Sequence, residues 1–349
     1  MTFRARALAA ALLPAVVLGA CSGGGDDEKV PAASAGDAAE ETTTTAVPVT
    51  VAAPLTGVQV DPGAVNRSAV SIKVDNSPQG RPQAGLDTAD VIFEEKVEGG
   101  VTRFVAVYHS QDEDLVGPIR SLRTTDPAIV SALGGVFVFS DGVAITLKGL
   151  KNAPVAVVSE RQGAGPFTYP KGRKRPWATF GSTDDLREAG GEKGKQVPPA
   201  FFPFLAEGEA FAPSGALPAS KVTVDFGGRT SAMLEWDAVS KKWLRTTNGA
   251  PHNLSDGSRL SFTNVIVQKT PYRPVGYHDS AGNWVDEAVV VGSGDAIVLV
   301  DGKQAKARWT KSSATAVTTY TDLAGAPIRL SPGNTLVLLP PPANAATVV

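Results

Sequence analysis

Cysteine is almost absent: Cys21 is the single one in 349 residues. That excludes an internal disulfide and a cysteine-based zinc site. Histidine is scarce too. His109, His252 and His278 are far apart in sequence and leave little room for a histidine-rich metal centre. No apolar run reaches the roughly 20 residues that an ordinary membrane-spanning helix needs. The chain has no G-x-S-x-G elbow, no H-E-x-x-H and no P-loop pattern, so the enzyme classes those motifs define gain no support. A basic excess is missing as well. Net charge is −2, with +2 on residues 1–21, −5 on 22–54 and +1 on the rest. A near-neutral folded part lacks the footprint of a nucleic-acid binder, so no nucleic acid partner is expected. No metal or cofactor is expected either.

What is present starts with an export signal. Arg4 and Arg6 precede an apolar run from Ala7 to Leu18, followed by small residues. This is the layout of a secretory leader. Leu18-Gly19-Ala20-Cys21 then resembles the bacterial lipobox, in which the cysteine thiol is joined to diacylglycerol. Acyl chains anchor through about 0.8 kcal/mol per buried CH₂. Residues 22–54 are rich in Gly, Ala, Ser, Thr, Pro and acid, with no aromatic residue. They read as a disordered tether. The expected organisation is a signal peptide over 1–20, Cys21 and the tether to 54, an α/β domain over 55–215, a β domain over 216–342, and a tail over 343–349.

The fold expected is α+β. In the first domain, Val70–Asp75, Ala89–Glu95, Val101–His109, Val136–Phe139 and Pro154–Val158 read as strands. Helices are expected from Thr125 or Asp126 to Gly134-Gly135, over Val143–Leu150, and from an N-cap at Ser182 to Gly190-Gly191. Ala212–Ser220 lacks periodicity and reads as a junction. Beyond it almost no helix signal remains. Lys221–Phe226, Ser231–Trp236, Lys242–Arg245, Asn264–Gln268, Glu287–Val291, Ala296–Val300, Ala305–Trp309, Ala316–Thr321 and Thr335–Leu339 read as strands, and Asp301-Gly302 marks a two-residue hairpin. This half is expected to be mostly antiparallel, a small barrel or sandwich.

Polar chemistry concentrates between Lys73 and Arg123. Asp75, Asn76, Arg81 and Gln83 follow the first strand, Glu98 precedes Gly99-Gly100, Arg103 lies in the third strand, and Arg120 and Arg123 stand just before a helix start. A helix N-terminus attracts anions, and arginines add bidentate donors for phosphate or carboxylate. The turns at Gly80 and Gly99-Gly100 would let backbone approach a ligand. The opposing reading pairs these arginines internally with Glu94, Glu95, Glu98 or Asp126. Glu94 and Glu95 point to opposite faces of a strand, so at most one joins any acid–base pair. Further on, Lys171, Arg173, Lys174 and Arg175 form a basic run beside Phe167, Tyr169 and Trp177, read as a solvated loop or a surface for glycan or lipid phosphates. His109 at a strand end reads as structural, and His252 falls in a turn.

Several motifs, in order, resemble one family. SPQGRPQAGL, ADVIFEEKVEGGVTRFVAVYHS and VGPIRSLR, then NVIVQ, VGSGDAIVLVDGK, ARWTK and SPGNTLVLLP, are similar to the DUF3048 family, the YerB-like bacterial lipoproteins. The resemblance spans about residues 55–340. It implies a lipid-anchored, two-part extracytoplasmic protein and no established activity. It also implies an Ala-Pro-His-Asn-Leu-Tyr-like segment after a basic run in the middle of the chain. KGRKRPWATF (Lys171–Phe180) stands there without a histidine. Two functional readings stay open. One is an envelope lipoprotein on the extracytoplasmic face of the membrane, binding an anionic glycan, lipid phosphate or protein partner through Asp75, Asn76, Arg81, Gln83, Glu98, Arg103, Arg120 and Arg123. The other is an envelope hydrolase or transferase acting on a glycan or phosphodiester, with Asp75 or Glu98 as the working carboxylate and the arginines as electrophilic stabilisers.

The lipobox yields a direct test. Intact mass of membrane-extracted protein is expected to show a lipidated N-terminal Cys21, and Cys21→Ala is expected to leave the membrane fraction. A Cys21→Ala protein that stays membrane-bound and correctly processed rules the anchor out.

Overall fold

The structure, a computed structural model, describes residues 49–163, 165–279, 282–343 and 346–349. Cys21, the leader and residues 22–48 of the expected tether lie outside them. Residues 49–54, expected as the tether's end, are structured instead. Val51–Ala52 (β1) pairs antiparallel with Gln59–Val60 (β2). Ala53 and Leu55 are buried, because the apolar alternation that feeds the core begins several residues earlier than composition suggests.

The first half runs α1 (Pro62–Val65), β3 (Val70–Asp75), β4 (Val91–Lys96), β5 (Thr102–Tyr108), α2 (Asp126–Val130), β6 (Val136–Phe139), α3 (Ala144–Leu150), β7 (Ala156–Ser159) and α4 (Thr183–Ala189). Ser182 caps α4 as expected, its hydroxyl accepting from the Asp185 N–H. The second half, among the described residues, is strands: β8 (Leu217–Pro218), β9 (Lys221–Asp225), β10 (Ser231–Asp237), β11 (Lys242–Thr247), β12 (Ala250–Pro251), β13 (Ser261–Phe262), β14 (Asn264–Gln268), β15 (Tyr272–His278), β16 (Trp284–Ala288), β17 (Gly292–Val300), β18 (Lys303–Lys311), β19 (Thr319–Asp322), β20 (Thr335–Leu339) and β21 (Thr347–Val348). Asp301-Gly302 joins β17 to β18 as the expected tight turn.

The two halves share one sheet. Eleven strands include the path β19-β18-β17-β14-β20-β4-β5-β3-β6-β7, with β8 on the edge of β18. The seam is parallel: β20 lies beside β4 from Thr335↔Val91 to Leu339↔Glu95. The second half is thus mostly antiparallel, but no barrel closes among the described residues. A second sheet, β12-β11-β10-β9-β21 with β13 on β11, belongs to the second half alone. The expected junction at Ala212–Ser220 contains β8, which pairs with β18.

Central strands have two dry faces, and alternation sorts their side chains. Val91, Phe93, Val105, Val107, Phe137, Phe139, Ile266 and Val337 join a core with α2, α3 and the crossing segment Phe201, Phe202, Leu205 and Phe211. Ile92, Phe104, Ala106, Val136, Val138, Val265 and Leu336 face the second sheet, packing with Val222, Val224, Leu234 and Trp243. The layers are helices and crossing segment, then the long sheet, then the second sheet with α4. The β15–β16 hairpin pairs only with itself. Its first strand carries Pro274 and Gly276 and alternates weakly, and β16 lies three residues ahead of the expected Glu287–Val291.

Polar side chains buried in both layers tie the elements together. On one face of the long sheet, Lys73 Nζ donates to Glu95 Oε1 (2.5 Å) and Asp126 Oδ1 (2.7 Å), all three almost fully buried. On the other face, Glu94 accepts both terminal nitrogens of Arg245 (2.8 and 2.9 Å). The opposite-face reading of Glu94 and Glu95 therefore holds.

Both groups are testable. Arg245→Met leaves a buried, unpaired carboxylate and is expected to lower stability by about 3–5 kcal/mol in urea unfolding, with much of the loss recovered in Glu94→Leu/Arg245→Met. At the other site, burial raises the Asp126 carboxyl from 3.8 to about 6, against the pull of Lys73. The folded state then binds more protons than the unfolded state between those values, so Asp126 makes stability fall as pH rises from about 4 to about 6. Asp126→Asn is expected to flatten that fall. An unchanged slope of urea midpoint against pH contradicts the assignment.

Candidate functional site

Strands β3, β6 and β7 are neighbours and parallel. Their carboxyl ends carry Asp75, then Ser140-Asp141, then Glu160-Arg161. In sheets with parallel strands, ligands bind in crevices beyond these ends. A cleft of about 420 Å³ opens here, lined in part by Arg120, Ser121, Asp141, Glu160, Tyr169 and Arg175.

Behind it stands the arginine group. Asp75, buried at the end of β3, lies 3.9 Å from Arg103 Nε and 3.8 Å from Arg120 Nε, too long for hydrogen bonds. Its Oδ2 instead accepts from Ser77 Oγ (2.5 Å) and Trp177 Nε1 (2.7 Å). Arg103 donates through Nη1 to the Ser121 carbonyl (2.8 Å). Arg123 donates to Glu98 Oε2 (2.7 and 2.5 Å) and to the Leu122 carbonyl. Arg103 and Arg123 thus meet at one backbone turn, Ser121–Arg123, with Arg120 directly before it. The Nε–H groups of Arg81, Arg103 and Arg120 are buried without a hydrogen-bond partner. Burial, then the charges of Arg123 and Arg120, push Arg103 down to about 9, so it stays charged at neutral pH. Burial lowers Arg120 as well. Arg81 is lowered by burial and by Arg245, opposed by Glu94 and Asp75.

The structure brings Asp75, Arg103, Arg120, Arg123 and Glu98 together, with Arg81 within their electrostatic reach. It separates two others. Asn76 and Gln83, expected to meet a ligand, are 1% and 0% exposed. Their amides belong to a closed ring of hydrogen bonds. Arg245 binds Glu94; Arg245 Nε donates to His252 Nδ1 (3.2 Å); His252 Nε2 meets Gln83 Oε1 (2.9 Å). Gln83 Nε2 donates to Asn76 Oδ1 (3.2 Å), and Asn76 Nδ2 returns to Glu94 Oε1 (3.1 Å). An Arg245 donor at Nδ1 fixes His252 as the Nε2–H tautomer. Burial, with Arg245, Arg81 and Arg259, holds its pKa well below the usual histidine value. It is a neutral structural link.

Other expectations change too. The helix N-terminus at Asp126 offers no anion site. The Asp126 carboxylate itself accepts from the Arg123 N–H (2.6 Å), and α2 has five residues. Gly80 admits the Asp75 side chain rather than a ligand, since an added Cβ would lie 2.6 Å from Asp75 Oδ2. Gly100 meets the backbone of Gly228 and Arg229 across the two halves. His109 is structural as expected, its Nε2 held by the carbonyls of Val65 and Arg67. Lys171–Phe180 lacks the histidine segment that the resemblance implies there; an APHNL string stands instead at Ala250–Leu254 in the second half and supplies His252. Trp177, read only as an aromatic of the basic loop, is a direct partner of Asp75, and no local pattern signals that.

Fold and site together define a class: an α+β protein whose two halves share one open sheet, with an arginine-rich cleft at its parallel edge. The chain belongs to the DUF3048 family. Residues 55–196 match the protein of unknown function (DUF3048) N-terminal domain, and 222–337 match its C-terminal domain. The Bacillus subtilis (strain 168) protein named "Putative lipoprotein YerB" is 28% identical over 233 residues, 64% of this chain and 69% of that protein. The crystal structure of YerB protein from Bacillus subtilis matches with a TM-score of 0.73 at 22% identity, over 86% of this chain and 99% of that one. The likeness to that structure is one of fold.

Proposed function

We propose that the protein is a lipid-anchored envelope protein that binds an anionic group at the cleft beyond β3, β6 and β7. The Leu18–Cys21 box and the name of the Bacillus relative support the anchor and the extracytoplasmic location. One observation carries the binding reading. Three buried guanidinium N–H groups lack partners, and two of them, on Arg103 and Arg120, stand nearly 4 Å from a single carboxylate, Asp75. A buried donor left unmade costs about 1–3 kcal/mol, and clustering like charges adds to it. A bound phosphate or carboxylate would offset both. Arg120 lines the cleft and makes first contact; Arg103 and Arg123 supply charge from behind. The candidate catalytic carboxylates are engaged, Asp75 by Ser77 and Trp177 and Glu98 by Arg123. This favours binding over hydrolysis or transfer.

The test is calorimetric titration with inorganic phosphate at low salt. Arg120→Gln is expected to weaken binding at least about tenfold, the scale of one charged hydrogen bond. Its thermal midpoint should stay within a few degrees, because Arg120 makes no hydrogen bond through Nε. Unchanged phosphate binding, or a collapse of stability in Arg120→Gln, refutes the site.

A further inference from the structure

The cleft has a cationic rim that a small anion does not use. The chain leaves the cleft at Tyr169 and returns to it at Arg175. Between them lie Lys171, Arg173 and Lys174. Lys171 and Lys174 are exposed, and none of the three has a carboxylate partner among the described residues. The segment is nonetheless fixed. Arg173 donates to the carbonyls of Gly80 (3.3 Å) and Pro82 and lies over the Phe180 ring. Trp177 is bonded to Asp75. Thr168 and Phe180 bridge its base. The lysines therefore stand on a braced platform instead of a free loop.

Inside the cleft the remaining charges cancel. Arg161 pairs with Asp141 (2.6 Å) and Arg175 with Glu160 (2.8 Å). Glu160 is held further by Thr179 Oγ1 (2.8 Å) and Tyr169 OH (3.0 Å). What is left is Arg120 in the cleft lining and the exposed Lys171 and Lys174 on the segment that joins two lining residues, Tyr169 and Arg175. A single phosphate at Arg120 fills only part of a 420 Å³ trough.

We infer that the ligand is a linear polyanion, a chain carrying a negative group on each repeat, with one group at Arg120 and later groups on the Lys171–Lys174 rim. This rests on the anion-binding reading above and adds the polymer. Phosphodiester polymers and carboxylated polysaccharides share the required chemistry. The near-neutral net charge of residues 55–349 disfavours nucleic acid.

The experiment uses the full chain in detergent with four probes: orthophosphate, polyphosphate, polygalacturonate and a single-stranded oligonucleotide. Polyphosphate or polygalacturonate is expected to bind more tightly than orthophosphate at equal charge concentration, with a steeper loss as salt rises. Whichever polymer binds better identifies the source. Lys171→Gln/Lys174→Gln is expected to weaken the polymer about tenfold and leave orthophosphate within about twofold. Arg120→Gln weakens both. If orthophosphate binds through Arg120 but neither polymer gains over it, the polymer inference fails and the anion site stands. If no probe binds, both fall. An oligonucleotide that binds as well as the polymers overturns the inference in favour of unselective charge.

Discussion

The bidentate contact between Glu94 and Arg245 is the interaction on which the two halves depend. Both side chains are fully buried, one on β4 of the long sheet and one on β11 of the second. Taking two charges out of water costs several kcal/mol per ion, and only excellent geometry with further hydrogen bonds offsets it. The ring supplies those bonds. Asn76 and Thr102 donate to Glu94 Oε1, while His252 and Thr247 meet the remaining Arg245 nitrogen. An apolar interface would accept a slipped register between the sheets. A ring of directional bonds accepts one. The parallel seam of β20 on β4 then places the second half's strands beside the first half's, so the halves fold as parts of one sheet.

Charge is treated differently on the two sides of the molecule. Around Lys73 and around Arg245 every buried charge meets an opposite one. Around Asp75 it does not. Arg103 and Arg120 share one carboxylate at nearly 4 Å, and that carboxylate is already bonded to a serine and a tryptophan. The same chain therefore satisfies its structural ions closely and leaves Arg103 and Arg120, behind the cleft, loosely paired. Local inconsistency of this kind, set in an otherwise consistent fold, is where function is expected.

Much of the fold was legible in sequence. Val70–Asp75, Val136–Phe139, Asn264–Gln268 and Thr335–Leu339 have the bounds that their apolar runs imply, because strands covered on both faces read as unbroken hydrophobic stretches. Tyr272–His278 was not legible, since only Tyr272 of that strand packs on the core while most of the rest stays exposed and does not alternate apolar with polar. The joining of the halves was also hidden. Periodicity reports which face of a strand is dry, not which distant strand lies beside it, so an expected small barrel is replaced by an open sheet. Within the site, the arginines stand out by number and by their turn-rich surroundings. The roles of Asn76 and Gln83 do not, because a buried amide and a ligand-facing amide look the same in sequence. What separates them is His252, 169 residues beyond Gln83.

Ring and cleft are not independent. Gln83 Nε2, besides closing the ring, donates to the Asp75 carbonyl (2.8 Å). The loop from Asn76 to Gln83 is thereby held at both ends, and Arg81 sits within it. Arg173 then grips the carbonyls of Gly80 and Pro82 in that same loop, and Trp177 grips the carboxylate of Asp75. Position passes from the buried Arg245 to Gln83, from Gln83 to the 76–83 loop, and from that loop to the basic segment at the cleft rim. A cleft formed by loops at strand ends is ordinarily the softest part of such a fold. Here it is fastened to a fully buried ion pair and its ring of hydrogen bonds. The second half, which contributes no residue to the lining of the cleft, acts on the site by fixing where its loops stand.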